Sequence, residues 1–283
     1  MKRIVVTTLV VLGLVAMAAA QAGTTSGTTS GFQLSTSQRK PPHAAKSAEE
    51  GKAYQAIVTN ADPGAAEAAA KDFEAKYPQS ELSGNLYLVL MDRYRQANNA
   101  EKTVEMGRKV LQFDAENPTA LAMVANLLAE RTRETDLDRD QRLAEAMKDA
   151  QHLLDTMDNW LATAPGITDE QAQGFKPLLS SLAHAAMGMV EDLRKNPAEA
   201  EKHYRTSVEL NPAQPDPYTF YRLALAQDAQ KKYAEALTAA NRAVELSAAT
   251  GGPVADMSKK EQDRLLQLTK TAPAPAPAPP PKS

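Results

Sequence analysis

An internal repeat constrains this chain more than any other feature of its sequence. A large residue is followed sixteen residues later by a small one. The three clearest pairs are Tyr87 with Thr103, His184 with Ala200, and Phe220 with Ala236. A unit of this size cannot bury its apolar face alone, so several copies must stack to form a continuous core. The repeat therefore predicts an all-α solenoid of antiparallel helix pairs.

Two further copies are less regular. In one, Leu121 opens the first helix, and the small residue Ala146 comes nine residues later than the repeat spacing requires. In the faintest copy, Tyr54 is followed by Ala66 and Ala70. Small residues let two helices approach closely, while large residues fill the space to the adjacent pair. We therefore expect about five helix pairs.

The best-preserved copies resemble the tetratricopeptide repeat, whose signature is W-x2-L-G-x2-Y followed by A-x3-F and often a proline. Phe220-x2-Leu223-Ala224 fits the first block, and Ala200-x3-Tyr204 fits the second. Gln227 and Ala240 depart from it, because each stands where the family has an aromatic residue. The resemblance covers roughly residues 47 to 250. It implies a right-handed superhelical array that binds other chains.

Helix starts are marked by capping residues. Four Asx-Pro pairs place a capping side chain before a proline at the first helical position: Asp62-Pro63, Asn117-Pro118, Asn196-Pro197 and Asp216-Pro217. Three capping boxes start at Ser47, Thr168 and Ser258. The box at Ser258 predicts the start of a final helix that caps the solenoid with a polar outer face.

The two ends differ in composition from the repeats. Residues 1–20 combine Lys2 and Arg3 with an apolar run and the small residues Ala18 to Ala20, the pattern of a cleaved signal peptide. An uncleaved membrane anchor is the alternative. Residues 21–46 form a Thr/Ser/Gly-rich leader, expected to be disordered. Residues 47–270 form the solenoid, and 271–283 are a Pro/Ala-rich tail expected to be extended.

Composition excludes several classes of function. The chain has no cysteine, which excludes disulfides, thiol catalysis and lipid attachment through a cysteine. Without Lys2 and Arg3, 30 basic and 35 acidic residues leave a net charge of −5. An acidic chain disfavours nucleic acid as the main partner. We expect an exported protein of the periplasm or cell envelope, attached to a membrane only if the signal segment is retained.

Two insertions interrupt the repeats. The first, near residues 131–142, alternates acidic and basic side chains, which is typical of a solvated helix extension and loop. A specific docking loop is the alternative. The second, near 158–180, contains Trp160 and should lengthen the next helix, starting after Thr168, with Pro177 able to bend it.

The resemblance also indicates a binding groove. Tetratricopeptide arrays present a concave face from the first helix of each pair. By that resemblance the groove is lined by Leu88, Asp92, Arg95, Asn126, Met189, Tyr218, Tyr221 and Leu225, with Ala122 and Ala185 at equivalent positions. An exposed apolar and aromatic patch favours binding. The alternative is that the final helix covers the C-terminal members of this set.

The sequence offers little support for catalysis. It lacks a nucleophile elbow, a phosphate-binding glycine loop and an H-E-x-x-H helix. Asp149-x-x-His152 could supply two metal ligands, but no second such pair accompanies it. We therefore expect a non-catalytic scaffold or assembly adaptor with a protein or peptide partner, and no cofactor or metal. The alternatives are a peptide- or glycan-associated envelope module, and a hydrolase or metal-dependent enzyme with a site assembled across repeats.

Overall fold

The computed structural model describes residues 39–41, 43–249 and 251–271. The predicted signal segment, most of the leader and the tail beyond Thr271 lie outside these residues. Within them, all regular secondary structure is helical. The helices are α1 (Ala48–Thr59), α2 (Pro63–Lys76), α3 (Ser83–Gln96), α4 (Ala100–Phe113), α5 (Pro118–Arg131), α6 (Arg139–Thr163), α7 (Asp169–Leu193), α8 (Pro197–Leu210), α9 (Pro217–Ala229), α10 (Tyr233–Ser247) and α11 (Pro253–Thr271). The all-α prediction is confirmed.

The chain divides into two compact units at a point within α7. Among the described residues, the N-terminal unit comprises residues 39–190 and the C-terminal unit comprises residues 191–271. Each unit is described by itself below. The handedness of the predicted superhelix stays a prediction.

In the N-terminal unit, each helix from α1 to α5 packs against the next one. One core joins helices α1 to α5 around large side chains such as Leu86, Tyr87 and Leu90. A second core joins α5, α6 and α7 around Leu153, Met157 and Met187. The predicted small positions on α6, Ala146 and Ala150, are both fully buried.

A single glycine shows how closely two of these helices approach. A Cβ atom added to Gly107 on α4 would lie 2.6 Å from Cγ2 of Val124 on α5. It would also lie 3.3 Å from Sδ of Met91 on α3. Real side chains do not come as close as the first of these distances, so only glycine fits the observed contact.

In the C-terminal unit, α8 packs on α9, α9 on α10, and α10 on α11, while α11 also contacts α9. The predicted small residues on α8 and α10, Ala200, Ala236, Ala240 and Ala243, have no exposed surface. Tyr204 is 1% exposed and fills the space between helices. In this unit the predicted small residues and Tyr204 are buried as expected, whereas the predicted large residue Phe220 is only half-buried.

Most of the predicted helix caps are present. The side chains of Asp62, Asn117 and Asp216 accept hydrogen bonds from backbone N–H groups in the first turns of α2, α5 and α9. Thr168 and Gln171 exchange hydrogen bonds as a reciprocal capping box before α7. Asn196 differs, because its amide donates to the Glu191 carboxylate, at 2.8 Å, and makes no capping bond.

The start of the final helix was predicted wrongly. Helix α11 begins at Pro253, so Ser258 lies inside it and is fully buried. The turn before α11 is made by Gly251 and Gly252, whose φ angles of 63° and 83° favour glycine. Proline is well suited to a first helical turn, since it lacks the N–H that would be unbonded there. The exposed side chains of α11 include Lys259, Lys260, Asp263 and Lys270.

The two insertion regions have simple structures. Helix α5 ends at Arg131, and a turn leads to α6, which begins at Arg139 and runs for 25 residues. Leu137 in this turn is fully exposed. Helix α7 is also 25 residues long, starts directly after Thr168 and contains Pro177.

The last part of the predicted leader contacts the N-terminal unit. Arg39 donates a hydrogen bond to the carbonyl of Leu161, at 2.8 Å, and forms an ion pair with Asp169. The backbone N–H of Lys40 donates to the Thr163 carbonyl at 2.9 Å. These bonds satisfy carbonyl groups at the C-terminal end of α6. Within the described residues, contacts with the repeats are therefore already present at Arg39, before the predicted boundary at residue 47.

Candidate protein-binding site

The predicted groove residues on α3 are engaged within their own unit. Leu88 packs against the core that joins α1 to α5. The Asp92 carboxylate accepts hydrogen bonds from Nε and Nη2 of Arg95, at 2.9 Å and 2.7 Å, and from Gln96 at 2.6 Å. This charge pair lies along one helix, where such pairs contribute only a few tenths of a kcal/mol, about 0.2–0.5.

Two further predicted groove residues of the N-terminal unit serve the packing of helices. Asn126 on α5 donates to its own helix at the Ala122 carbonyl, at 2.8 Å, and to the Leu182 carbonyl of α7, at 3.1 Å. Met189 is only 7% exposed. The expectation that Met189 is part of an exposed patch is therefore not met, because its side chain lies within the protein.

The three predicted residues on α9 form a half-buried stripe. Tyr218, Tyr221 and Leu225 have spacings of three and four residues, which place them on one side of a helix. The ring centroids of Tyr218 and Tyr221 are 6.4 Å apart, and their planes are tilted by 34°. We call these three residues the tyrosine face. Of the predicted groove residues, these are brought together into one aromatic surface.

A polar network behind the tyrosine face holds Tyr218 in place. Arg222 donates a hydrogen bond to the Tyr218 hydroxyl, and its guanidinium lies 4.9 Å from the centre of the Tyr218 ring. Arg222 is also 3.8 Å from a carboxylate oxygen of Asp192, to which the Tyr204 hydroxyl donates at 2.7 Å. Cation–π and hydrogen-bond contacts thus fix both the plane and the hydroxyl of Tyr218.

Burial of this network changes the ionisation of its members. Burial raises the pKa of the Asp192 carboxyl, although the Tyr204 hydrogen bond and the Arg222 charge partly oppose it. Burial also raises the pKa of Tyr221, with Arg222 acting in the opposite direction. Tyr221 therefore stays neutral at ordinary pH and contributes aromatic surface and a hydroxyl group to the tyrosine face without a phenolate charge.

Helix α11 borders the tyrosine face. Leu265 of α11 has no exposed surface. Arg264 joins α11 to α9 through an ion pair with Asp228, at 2.5 Å, and also pairs with Glu261 of its own helix, at 2.8 Å. The Glu261 charge also acts on Tyr221. The final helix therefore packs beside α9, yet Tyr218, Tyr221 and Leu225 each keep part of their surface accessible.

Buried glutamates that the sequence analysis missed connect successive helix pairs. The Glu67 carboxylate of α2, 5% exposed, accepts from Tyr94 Oη at 2.6 Å, Lys71 Nζ at 2.8 Å and Lys102 Nζ at 3.0 Å. Burial alone would raise the pKa of Glu67, but these hydrogen bonds outweigh it and lower the pKa to about 2. We call this arrangement a carboxylate clamp.

The C-terminal unit contains a second carboxylate clamp. Glu201 of α8 accepts from Lys232, Arg205, Gln230 and Gln227, and its pKa falls to about 2 although burial opposes the change. Gln227 stands at the family's tyrosine position, like Tyr94 in the first clamp. Its departure from the family pattern thus has a structural reason, since the amide donates to Glu201 at 3.3 Å, as the Tyr94 hydroxyl does to Glu67.

The Asp149–His152 pair gives no further sign of a metal site. Burial, reinforced by the neighbouring Glu145 charge, raises the pKa of Asp149 to about 6. Arg108 binds that same Glu145 through two hydrogen bonds of 2.6 Å and 2.7 Å. Across the described residues, no group of three or more His, Asp or Glu side chains is placed to hold a metal ion.

In the described part of the chain, none of the helices combines the length and the apolar character needed to cross a membrane.

The family resemblance is matched by the way the helices pack. Helices α1 to α6 pack in sequence in one unit and α8 to α11 in the other, the signature small residues are buried, and large residues such as Tyr87 and Tyr204 fill the core. The fold is that of a tetratricopeptide-like helical repeat protein. Its family-type positions on α9 form the tyrosine face, whereas those on α3 and α5 are engaged by the contacts described above.

Comparisons with known proteins give similarities to solved structures alone. No protein-family model matches this repeat protein, and no curated protein does. A structure of the MamA protein is 15% identical with a TM-score of 0.49, covering 70% of this chain and 92% of that chain. The structure of Pseudomonas aeruginosa pilF is 18% identical with a TM-score of 0.47, covering 80% and 95%. An assembly chaperone of RpL4, Acl4, is 11% identical with a TM-score of 0.40, covering 78% and 97%.

Proposed function

We propose that this protein is a non-catalytic interaction scaffold or assembly adaptor that binds a partner protein or peptide through the tyrosine face. The observation that supports this proposal is the fixed orientation of Tyr218 by Arg222, next to the partly accessible ring of Tyr221. Tyrosine is enriched among residues that dominate binding energy, since it offers a large contact area and a hydroxyl.

The network behind Tyr218 strengthens this assignment. Immobilising a side chain during binding costs about 0.5–1.5 kcal/mol. Part of that cost is already met in the free protein, because Arg222, Asp192 and Tyr204 hold the ring before a partner arrives. A surface ordered in advance binds more tightly than a mobile surface of the same area.

The location of the protein is part of the same proposal. Lys2, Arg3, the following apolar run and the small residues before Gln21 support export to the periplasm or cell envelope. Mass spectrometry of the protein from its native cells should find a mature chain that starts at Gln21 or Gly23. An intact Met1 in the membrane fraction would show instead that the signal segment is retained as a membrane anchor.

Partner binding can be tested with one variant and a matched control. A partner is first captured from cell-envelope extract with the wild-type chain, identified, purified and titrated against each variant. Tyr221→Ala should weaken its binding about tenfold, equivalent to about 1.4 kcal/mol. Tyr233→Ala removes a half-buried tyrosine of α10 that lies outside the tyrosine face, and should leave the dissociation constant unchanged.

Circular dichroism separates loss of binding from loss of folding. Both variants should keep the helical spectrum of the wild type at the temperature of the titration. Equal binding by wild type and Tyr221→Ala would contradict the proposed site. So would unfolding of Tyr221→Ala with no separable binding defect, because that result would assign Tyr221 to the core.

A further inference from the structure

An arginine that lies before the first helix fills a small polar site at the end of α6. Nη1 of Arg39 donates to the Leu161 carbonyl at 2.8 Å and to the Ala164 carbonyl at 3.4 Å. Its Nη2 pairs with the Asp169 carboxylate at the start of α7. The Arg39 side chain is only 16% exposed. Long cationic side chains usually keep their charged end in water, so an enclosed guanidinium with three acceptors indicates a specific site.

The backbone beside Arg39 is bound as well. The N–H of Lys40 donates to the Thr163 carbonyl at 2.9 Å, and Pro41 follows. A residue that precedes proline is held in an extended conformation, which keeps this N–H directed away from a helix of its own. The bound group is therefore a guanidinium together with the backbone N–H of the next residue. We call the four residues that accept these bonds the arginine site: Leu161, Thr163, Ala164 and Asp169.

The position of the arginine site at a helix end suits a cation. Helix α6 ends at Thr163, and the negative end of its dipole lies at its last carbonyl groups, where it attracts positive charge. The Asp169 carboxylate adds a formal negative charge. A lysine ammonium is a compact point charge, whereas a planar guanidinium presents several donors in fixed directions and can serve carbonyls and a carboxylate at once. The arginine site should therefore select arginine over lysine.

The segment that carries Arg39 leads directly into α1. Lys46 donates from Nζ to the Gln79 carbonyl between α2 and α3, at 2.6 Å, and from its backbone N–H to the Glu50 carboxylate of α1, at 2.5 Å. One end of the segment is therefore bound at the first helix pair, and Arg39 is bound at the end of the third, which α5 and α6 form. Helix pairs in a solenoid contact their immediate neighbours, so this contact adds a link between pairs that are not neighbours.

We propose that the arginine site recognises an arginine on an extended segment, and that Arg39 occupies it within the same molecule as a latch that holds the start of α1 to the end of α6. The inference goes beyond the proposed function, because the tyrosine face belongs to the other unit. A short tether gives Arg39 an effective concentration in the millimolar range, about 1 mM. A free segment opens the latch only if it carries the same chemistry: an arginine followed by a residue with a backbone N–H.

Hydrogen exchange of the full chain, followed by nuclear magnetic resonance, tests the latch. The Lys40 amide should exchange at least about tenfold faster in Arg39→Ala than in the wild type, because its bond to Thr163 is lost with the arginine. Amides of α1 should also exchange faster in this variant. The matched control is Arg133→Ala, which removes an exposed arginine between α5 and α6 and should change neither rate. Unchanged exchange of Lys40 or of α1 in Arg39→Ala would overturn the latch.

A synthetic peptide tests the ligand chemistry. Trp160 is the only tryptophan and lies one residue before Leu161, so its fluorescence reports on the arginine site. A capped peptide of residues 38–41, added to Arg39→Ala, should restore the wild-type emission with a midpoint of about 1 mM or below, since a weaker site would not keep the latch closed. The same peptide with lysine in place of arginine should bind at least about tenfold more weakly. Equal binding of the two peptides, or no binding of either, would overturn the recognition of arginine.

Two further measurements complete the test. Asp169→Asn keeps the shape of the carboxylate but removes its charge, so the arginine peptide should bind the double variant Arg39→Ala, Asp169→Asn at least about tenfold more weakly than Arg39→Ala alone. Exchange of the wild-type Lys40 amide should be unchanged over a hundredfold dilution, as expected for a contact within one molecule. Faster exchange on dilution would overturn the latch in favour of an arginine donated by a second copy of the chain.

Discussion

Replacing Gly107 with alanine should destabilise the N-terminal unit, although alanine is the better helix former. The added Cβ atom would lie 2.6 Å from Cγ2 of Val124, which is fully buried. A valine in a helix has one strongly preferred side-chain rotamer, so it cannot rotate away without strain. The second neighbour, Met91, is flexible and can adjust from 3.3 Å. The contact with Val124 therefore determines the outcome.

The size of the effect follows from two opposing contributions. Exchanging glycine for alanine inside a helix stabilises by about 0.5–1 kcal/mol. Inserting a methyl group into a packed contact costs about 1–3 kcal/mol. We expect Gly107→Ala to lower the free energy of unfolding by about 1–2 kcal/mol. For a chain of this length, that corresponds to a melting temperature lower by about 2–8 °C.

The chain supplies both a matched control and a local probe. A Cβ atom added to Gly174 on α7 would meet nothing within 4 Å, so Gly174→Ala should stabilise by about 0.5–1 kcal/mol. Trp160 is the only tryptophan and belongs to the N-terminal unit, where its Nε1 donates to Asp114 at 2.8 Å. Urea unfolding followed by its fluorescence therefore reports on the unit that contains both glycines.

A double variant tests whether the contact itself is responsible. Combining Gly107→Ala with Val124→Ala removes the methyl group that Cβ would meet, so the two changes should cost less together than the sum of their separate effects. If Gly107→Ala stabilises as much as Gly174→Ala, the close approach of α4 and α5 is wrong. If the losses in free energy of unfolding add up in the double variant, the contact between residues 107 and 124 is not the source of the strain.

Three further outcomes are expected. Ala236→Leu should lower the free energy of unfolding by about 1–3 kcal/mol, because Ala236 is fully buried, and an unchanged melting temperature would contradict the alignment of the last repeat. The folded pKa of Glu67 is about 2, below its ordinary value of 4.5, so its clamp stabilises above pH 4.5 and that contribution is lost as the pH falls toward 2. In urea unfolding, Glu67→Gln should therefore cost about 1–2 kcal/mol at pH 7, after allowance for solvent screening, but little at pH 2. Tyr218→Phe should weaken partner binding about threefold without loss of helicity, because the ring stays while its hydrogen bond from Arg222 is lost; unchanged affinity would show that the bond is not needed.

The spacing of small and large residues predicted the helix pairs because close packing allows few substitutes. Ala200 and Ala236 are buried without exposed surface, as their spacing from large residues indicated. Helix starts were predictable for a related reason, since a capping side chain acts on backbone groups two or three residues away. Asp62 and Asp216 cap the helices that follow them. In such contacts the two bonded groups are only a few residues apart, so both can be recognised in the same stretch of sequence.

Contacts between distant residues could not be predicted in this way. Glu67 lies 27 residues from Tyr94, and Glu201 lies 31 residues from Lys232. Nothing in the spacing of a single helix indicates that these side chains meet. The start of α11 was predicted wrongly for a similar reason. Ser258 and Glu261 have the spacing of a capping box, but they lie inside the helix, and the spacing alone does not distinguish the two situations. Only the glycine turn before Pro253 distinguishes the two placements.

The hydrogen bonds made by the predicted groove residues on α3 and α5 explain why an aromatic surface is found on α9. On α3, Asp92 and Arg95 satisfy each other, and on α5, Asn126 bonds to the backbone of α7. Polar groups used in this way have little capacity left for a partner, since breaking their bonds would cost as much as new ones return. The aromatic ring of Tyr221 differs, because its face can pack against a ligand without breaking any hydrogen bond. Selectivity at this site should therefore depend on ring contacts and shape.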